Sequence, residues 1–357
     1  EELKIIFEEI YKNFNVNKNA EITIESNPGT LNIEKLQTML ECGVNRLSIG
    51  LQSTFDKHLK YIGRIHTFEE FLKNYSEARN CGFSNINIDL MYSLPNQTME
   101  EWKETLETVV KLNPEHISAY SLILEEGTEL YEMESKNEFQ LNDEEIDIQM
   151  YRYTINFLQK HGYNQYEISN YAKSRCNQNE ASNYTKSRYN QNEASNYSKS
   201  KCKQYKIPNC EKQDNKYKSF ECEHNKGYWK CEEYIGVGAG SSGFIGDVRY
   251  NNVCDLETYH NMIKKGIKPI ENKDILTEKD FIEEKIFMGL RMNEGIYFDE
   301  FEKKFKINFA EVYKNEIEKL SKQNLIEIIY DKKSIAGIKL TQTGREISNT
   351  VFVEFLR

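Results

Sequence analysis

Four polar side chains lie at the ends of short apolar runs or interrupt them, where a small ligand could bind. Glu25 and Gln52 each follow an apolar run, Asp89 interrupts a third, and Arg64 lies in the loop after Gln52. A carboxylate inside an apolar strand is costly unless it binds something. Asp89 is therefore the most informative of the four, although a structural ion pair with Arg46 or Arg64 is an equally good interpretation.

A second candidate set occurs in the segment 224–229, His-Asn-Lys-Gly-Tyr-Trp. The imidazole of His224 could ligate a metal, but a lone histidine is more often an ordinary surface or core residue. A glycine-rich turn follows at 236–240, of the kind that approaches a ligand closely. It lacks the strand, helix and spaced acidic residue of a dinucleotide-binding turn.

The elements that position these residues alternate between strand and helix in the first half of the chain. Apolar runs predict strands near 22–25, 46–50, 86–91 and 116–124, with amphipathic helices between and after them. Thr67 with Glu70, and Thr98 with Glu101, predict capping boxes at two of the helix starts. Serial βα units imply parallel strands, whose carboxyl ends gather ligands. A barrel and an open doubly wound sheet both fit this pattern.

Composition bounds the class of protein. The 357 residues are 38% hydrophobic and 12% aromatic, which is enough for a core, and the net charge of −10 argues against nucleic-acid binding by the whole chain. No apolar run reaches the roughly 18 residues of a membrane span. The eight cysteines have irregular spacings without a C-x-x-C pair. We expect a reducing, cytoplasmic compartment.

The segment 167–205 consists of three copies of a 13-residue sequence rich in Asn, Ser, Lys and Tyr. Residues 173–220 contain 11 Lys or Arg and only 4 Asp or Glu. Tyrosines among basic residues could contact an anionic partner or a nucleic acid. The favoured interpretation is a basic, repetitive surface insertion over 173–220, predicted to be disordered.

The C-terminal part is predicted to be mainly helical. Helices near 277–292 and 310–322 precede strands 326–330 and 337–340, and a last helix covers about 342–356. This order resembles a winged helix. Because the segment lacks the basic surface that DNA binding requires, we interpret it as a packing or lid element.

Several longer motifs occur in register and carry a family resemblance. They are Glu25-Ser-Asn-Pro28, Gly43-Val-Asn-Arg-Leu-Ser-Ile-Gly-Leu-Gln-Ser53, Gly63-Arg-Ile-His66, Asn87-Ile-Asp-Leu-Met-Tyr-Ser-Leu-Pro-Asn-Gln-Thr98 and His116-Ile-Ser-Ala-Tyr-Ser121. Together they resemble the radical S-adenosylmethionine (SAM) proteins related to oxygen-independent coproporphyrinogen oxidase. His-Asn-x-x-Tyr at His224 resembles the haem-binding motif of the HemW-type haem chaperones in that family.

The resemblance implies an α/β fold: a partial (βα)6 radical-SAM barrel with a smaller, winged-helix-like C-terminal domain. The expected divisions are a partial barrel over 1–172, the insertion over 173–220, a haem-motif and glycine-turn region over 221–270, and the helical domain over 271–357. Since Glu1 opens inside a predicted helix, we expect the sequence to begin within a domain.

The resemblance also implies the roles of particular residues. By this resemblance, the SAM site of the chain is expected to comprise Glu25, Gln52, Arg64, Asp89 and Ile123. By the same resemblance, the haem site of the chain is expected to comprise His224, as the ligand of the iron, and Tyr228. Trp229 is also expected to pack on the porphyrin.

The chain departs from the family at the iron–sulfur cluster. Radical chemistry in the family requires a [4Fe–4S] cluster on a C-x-x-x-C-x-x-C loop, and residues 1–357 contain no such loop. Whether the chain is an enzyme therefore stays open at this stage.

Three functions follow from these observations. The leading one is a haem chaperone on a SAM-binding barrel, which passes haem to an acceptor protein and allows peripheral membrane contact through that acceptor. The alternative is oxygen-independent oxidative decarboxylation of coproporphyrinogen III. The third is an inactive gene product whose basic insertion binds anions by charge alone.

Overall fold

The computed structural model describes residues 1–174, 219–332 and 334–357. In chain order its strands and helices are α1 (Glu2–Asn13), β1 (Thr23–Ser26), α2 (Ile33–Glu41), β2 (Arg46–Gln52), α3 (Asp56–Tyr61), α4 (Phe68–Cys81), β3 (Ile86–Tyr92), α5 (Met99–Leu112), β4 (His116–Ser121), α6 (Glu129–Ser135), α7 (Glu144–Lys160), β5 (Tyr163–Glu167), β6 (Asn170–Lys173), α8 (Glu223–Trp229), β7 (Ser242–Ile245), β8 (Val248–Asn252), α9 (Leu256–Lys264), β9 (Ile270–Ile275), α10 (Glu278–Arg291), β10 (Ile296–Tyr297), α11 (Phe298–Phe305), α12 (Phe309–Val312), α13 (Lys314–Lys322), β11 (Ile326–Asp331), β12 (Ser334–Leu340), α14 (Gln342–Glu346) and α15 (Ser348–Val353).

The main sheet has six strands in the order β1-β2-β3-β4-β6-β5. Strands β1 to β4 are parallel, which confirms the predicted βα units. Strands β5 and β6 instead form an antiparallel hairpin, and β6 pairs antiparallel with β4. Only two residues separate β5 from β6, a connection too short for a parallel crossover. The α/β class is confirmed, with a mixed sheet in place of a uniform (βα)6 repeat.

One face of this sheet carries the core. Alternate side chains of the central strands are fully buried and pack against helices α2, α4, α5 and α7, as Leu47, Ile88 and Trp102 illustrate. Both predicted capping boxes are present, Thr67 with Glu70 and Thr98 with Glu101. The opposite face carries polar side chains at the alternate positions, because successive residues of a strand point to opposite faces.

Two smaller sheets follow. Strands β7, β8 and β9 form an antiparallel meander after the glycine turn, which the sequence did not predict. Strands β10, β12 and β11 form a second sheet that packs with α10 to α15 around its own core, including Phe301, Phe309 and Phe355. Helices with a small sheet confirm the winged-helix-like expectation.

The repetitive insertion predicted over 173–220 lies almost entirely outside the described residues. Within the described ranges, no helix combines the length and apolarity needed to cross a membrane. Within those ranges, Cys42, Cys222, Cys231 and Cys254 are free thiols.

Candidate functional site

The polar face of the main sheet is built from two rows of neighbouring residues. Strand register places Glu25 beside Ser48, Ser48 beside Asn87, and Asn87 beside His116. One step towards the carboxyl ends, the second row runs across four strands and consists of Gly50, Asp89, Ser118 and Asn170. Side chains far apart in sequence therefore share one polar surface.

Two adjoining cavities lie on this surface. The strand-end cavity, about 620 Å³, is lined by all four residues predicted from the strand ends: Glu25, Gln52, Arg64 and Asp89. The inner cavity, about 200 Å³, is lined by Glu25 and Asp89 again, together with Thr23, Arg46, Ser48, Asn87, Ser118, Tyr120, Asn170, Cys222, His224 and Asn225. Glu25 and Asp89 thus belong to both cavities.

Asp89 is held by hydrogen bonds from its own strand β3 and from the neighbouring strand β2. Its Oδ2 accepts a 3.1 Å hydrogen bond from Ser48, and its Oδ1 accepts a 2.7 Å hydrogen bond from Nδ2 of Asn87. Burial raises the pKa of Asp89, while these hydrogen bonds and the nearby charge of Arg46 oppose the rise. The predicted alternative of an ion pair with Arg64 is wrong, because Arg64 donates to Oδ1 of Asn27 at 2.6 Å.

Gln52 adopts a conformation that is unusual for a side-chain-bearing residue. Its φ angle is 68°, in the left-handed region, and a register shift of β2 against β3 precedes it. The hydroxyl of Tyr120 donates a 2.9 Å hydrogen bond to its Oε1. Such strain is found mainly where surrounding structure requires it, as at ligand sites.

Glu25 and Ile123 differ in their placement. The side chain of Glu25 is exposed at the junction of the two cavities, where a ligand can reach it. Ile123 lies beyond the end of β4, its side chain is 78% exposed, and it lines neither cavity. The structure therefore brings together four of the five residues expected to bind SAM.

Helix α8 carries the haem motif and is fixed to the start of the sheet. The carboxylate of Glu21 accepts hydrogen bonds from the backbone N–H groups of Glu223 (3.2 Å) and His224 (3.4 Å). A carboxylate at a helix N-terminus satisfies free N–H groups and interacts favourably with the helix dipole. His224 consequently lies at the rim of the inner cavity.

The aromatic residues of the motif divide between two environments. The rings of His224 and Tyr228 meet edge to face at 4.7 Å between centroids, and both side chains are exposed. Trp229 is instead covered by the guanidinium of Arg291, 4.4 Å from the ring centroid, and packs beside Met292. The structure thus places the ring of Trp229 against Arg291 and Met292, and its contact with a porphyrin stays a prediction.

A hydrogen-bonded chain that the sequence did not predict links Asp89 to helix α8. Nδ1 of His116 lies 2.5 Å from Oδ1 of Asn87, and the hydroxyl of Tyr166 lies 3.0 Å from Nε2 of His116. The N–H of Cys222 donates to the same hydroxyl at 3.2 Å. Burial, reinforced by the charge of Arg46, lowers the pKa of His116 well below its ordinary value, so the ring is neutral.

The side chains that line the cavities decide whether SAM and an iron–sulfur cluster fit. A cavity of about 620 Å³ lined by two carboxylates, an amide and a guanidinium suits a polar ligand of the size and charge of SAM. For the iron–sulfur cluster the described residues do not fit, since they contain no group of three or more His, Cys, Asp or Glu side chains placed to hold a metal ion.

Comparison with known proteins identifies the family. Residues 1–109 match the family model of the radical SAM superfamily, and residues 276–346 match that of the HemN C-terminal domain. The chain is 34% identical over 339 residues to the heme chaperone HemW of Lactococcus lactis, covering 94% of this chain and 75% of that protein. It is 32% identical over 337 residues to HemW of Bacillus subtilis, covering 94% and 76%.

A solved structure shows the same fold. Coproporphyrinogen III oxidase (HemN) from Escherichia coli, a radical SAM enzyme, superposes with a TM-score of 0.72 at 21% identity, covering 99% of this chain and 74% of that one. The sequence matches and the shared fold lead to one conclusion: this chain belongs to the HemW family within the radical SAM superfamily.

Proposed function

We propose that the protein is a haem chaperone, which binds haem through His224 and passes it to an acceptor protein in the cytoplasm. The observation that carries the proposal is the position of His224. It lies at the rim of a cavity that also contains Glu25 and Asp89, so a haem site and a SAM site share one surface. The chaperone names of the relatives support the same function.

The haem, as cargo, would be held at the exposed end of α8. A neutral imidazole from His224 is a suitable axial ligand for haem iron. The edge-to-face contact with Tyr228 restricts the rotation of that imidazole and leaves an aromatic surface beside it. Because both side chains are exposed, haem bound there would be accessible to an acceptor protein, which suits transfer.

The strand-end cavity would hold SAM. Arg64 is placed to pair with the methionine carboxylate, and Glu25, Asp89 and Gln52 can bind the ammonium and ribose hydroxyls. In the family, SAM bound beside a [4Fe–4S] cluster supplies a 5′-deoxyadenosyl radical. The described residues contain no group of side chains that would hold that cluster.

The test is a titration with ferric haem, followed by the Soret band, on the wild-type chain and on His224→Ala. The exposed His260 on α9 provides the matched control, His260→Ala. We expect His224→Ala to lose the Soret shift and the His260 variant to keep it. Haem-loaded protein mixed with apomyoglobin, used as a generic acceptor, should then release its haem. Unchanged binding by His224→Ala would overturn the assignment.

The alternative function is that of an oxidase. This chain shares its fold with the Escherichia coli oxidase, but that likeness extends to the fold alone. Anaerobic incubation with coproporphyrinogen III separates the two functions. We expect no loss of carboxyl groups from the substrate, whereas formation of protoporphyrinogen would favour the oxidase.

A further inference from the structure

The guanidinium of Arg46 is a buried cation in the inner cavity. Arg46 opens strand β2 on the polar face of the sheet, and only 3% of the residue is exposed. Its Nε has no hydrogen-bond partner within residues 1–174, 219–332 and 334–357. A charge removed from water is costly unless a counter-ion and hydrogen bonds replace the lost hydration. Arg46 therefore lacks a partner that its position requires.

The neighbouring carboxylates are committed elsewhere. Asp89 accepts its hydrogen bonds from Ser48 and Asn87, and Glu21 accepts from the backbone at the start of α8. Glu25, at the junction of the cavities, is exposed to solvent. Across the parts of the chain that the structure describes, no acidic side chain lies within ion-pair distance of Arg46, and its charge acts on Asp89 only at longer range.

A second unsatisfied group lines the same cavity. Asn170 is 7% exposed, and its Nδ2 donates a 2.6 Å hydrogen bond to Oε1 of Glu167. Because a carboxylate oxygen only accepts, this contact fixes the amide orientation and leaves Oδ1 of Asn170 as an acceptor. That Oδ1 has no partner within the described ranges. The lining of the cavity thus includes two residues with a buried polar atom whose hydrogen bond is unsatisfied, the donor Nε of Arg46 and the acceptor Oδ1 of Asn170.

The size of the cavity limits what can occupy it. Its volume of about 200 Å³ is below the roughly 300–1,000 Å³ of pockets that enclose whole drug-sized ligands. A porphyrin ring must stay outside, at His224 and Tyr228, while a side chain of the ligand can enter. His224 and Arg46 line the same cavity, so one ligand can reach both.

We propose that the inner cavity is a carboxylate subsite, in which Arg46 binds one propionate of the haem that His224 ligates. The inference rests on the proposed chaperone function and adds a recognition element to it. The guanidinium supplies charge-assisted donors to the propionate. A buried arginine would then select porphyrins that keep their acidic side chains.

The test compares ferric haem with its dimethyl ester, in which both propionates are esterified and uncharged. Affinities are measured by Soret titration for the wild type, Arg46→Gln and the control Arg249→Gln. Arg249 is a partly buried arginine paired with Glu284, away from both cavities. We expect the wild type and Arg249→Gln to bind haem about ten- to hundredfold more tightly than the diester, since the contact is charge-assisted.

Arg46→Gln should bind both porphyrins equally, with an affinity close to that of the wild type for the diester. If this variant does not fold, the wild-type comparison and Arg46→Lys, which retains the charge but not the planar fork, still decide the question. Equal binding of haem and diester by the wild type would overturn the subsite. A loss of SAM affinity in Arg46→Gln, with haem discrimination intact, would also overturn it.

The outcomes also separate this inference from the proposed function. If His224→Ala binds haem as the wild type does, His224 is not the haem ligand and the proposed chaperone site is overturned. If His224→Ala loses haem but the wild type does not distinguish the diester, only the carboxylate subsite fails.

Discussion

The hydroxyl of Tyr120 donates a 2.9 Å hydrogen bond to Oε1 of Gln52, which ties the end of β2 to β4 across the intervening strand β3. The contact holds Gln52 in the left-handed conformation that turns its amide towards the strand-end cavity. Beside it, Gly50 lies opposite Asp89 in the register of β2 and β3. Because Gly50 has no side chain, the amide of Gln52 can lie against its backbone.

Gly50→Ala should weaken SAM binding about tenfold. A Cβ at this position would lie 3.0 Å from Nε2 of Gln52 and 3.4 Å from Oδ1 of Asn27, the partner of Arg64. The 3.0 Å contact requires the amide of Gln52 to move by a few tenths of an ångström, and the 3.4 Å contact with Asn27 leaves little room for that movement. Calorimetric titration with SAM measures the effect. Gly227→Ala is the control, because its Cβ would meet only Glu232 at an ordinary 3.5 Å; equal affinities in both variants would contradict the prediction.

The affinity for SAM should fall in mild acid because of Asp89. Burial raises the pKa of this carboxyl, and only its ionised form can attract the ammonium group of the ligand. Binding is therefore expected to weaken as the pH falls through a value above 3.8, the ordinary pKa of an aspartate. Asp89→Asn should bind SAM at least tenfold more weakly at neutral pH and should lose this pH dependence. A midpoint unchanged in Asp89→Asn would assign the titration to another group.

The residues at the strand ends could be predicted from the sequence. Their contacts with distant elements of the fold could not. Parallel βα units place polar residues at one edge of a sheet, so Glu25, Gln52, Arg64 and Asp89 meet as expected. The separation of Ile123 from both cavities has a physical reason. The residue lies past the last paired residue of β4, where neither strand alternation nor register fixes the direction of a side chain.

The series of hydrogen bonds from Asp89 to helix α8 depends on contacts between residues that are far apart in sequence. Tyr166 lies 50 residues from His116 in sequence and 56 from Cys222. These groups meet only because the hairpin β5–β6 folds back antiparallel on β4. Periodicity assigns residues to the faces of an element, but it contains no information about which distant element covers that face.

Tyr166→Phe should destabilise the fold by about 1–3 kcal/mol, because it leaves Nε2 of His116 and the N–H of Cys222 buried without a partner. Urea denaturation measures the loss. Tyr171→Phe is a matched control, since the hydroxyl of Tyr171 is buried and has no hydrogen-bond partner among the described residues. Removing that hydroxyl should leave stability unchanged or raise it. A similar loss in both variants would mean that ring packing, not the hydroxyl of Tyr166, matters.

Glu21→Ala should weaken haem binding about fivefold while SAM binding stays unchanged. Glu21 fixes the first N–H groups of α8, and losing such a contact costs about 1 kcal/mol of local helix stability. Hydrogen exchange of residues 223–229 should quicken in this variant. Glu41→Ala, which removes an exposed partner of Lys4, is the control. If exchange quickens but haem affinity does not change, the position of α8 does not limit binding.

Glu101→Gln should reduce stability at neutral pH and not in strong acid. Partial burial alone would raise the pKa of Glu101, but hydrogen bonds from Lys57, the backbone N–H of Thr98 and His58 outweigh it and lower the pKa to about 2. A carboxyl whose folded pKa is depressed stabilises the fold above its unfolded pKa of 4.5, and this contribution disappears as the pH falls from 4.5 towards 2.

We expect the difference between the wild type and Glu101→Gln to be about 1 kcal/mol at pH 7, after allowance for solvent screening of the exposed Lys57, and to vanish near pH 2. Thermal or urea unfolding across this range measures it. Glu100→Gln, at an exposed neighbour 3.7 Å from Lys103, is the control. A constant difference between wild type and Glu101→Gln at every pH would show that the side-chain hydrogen bonds, rather than the charge of Glu101, hold the start of α5 against α3.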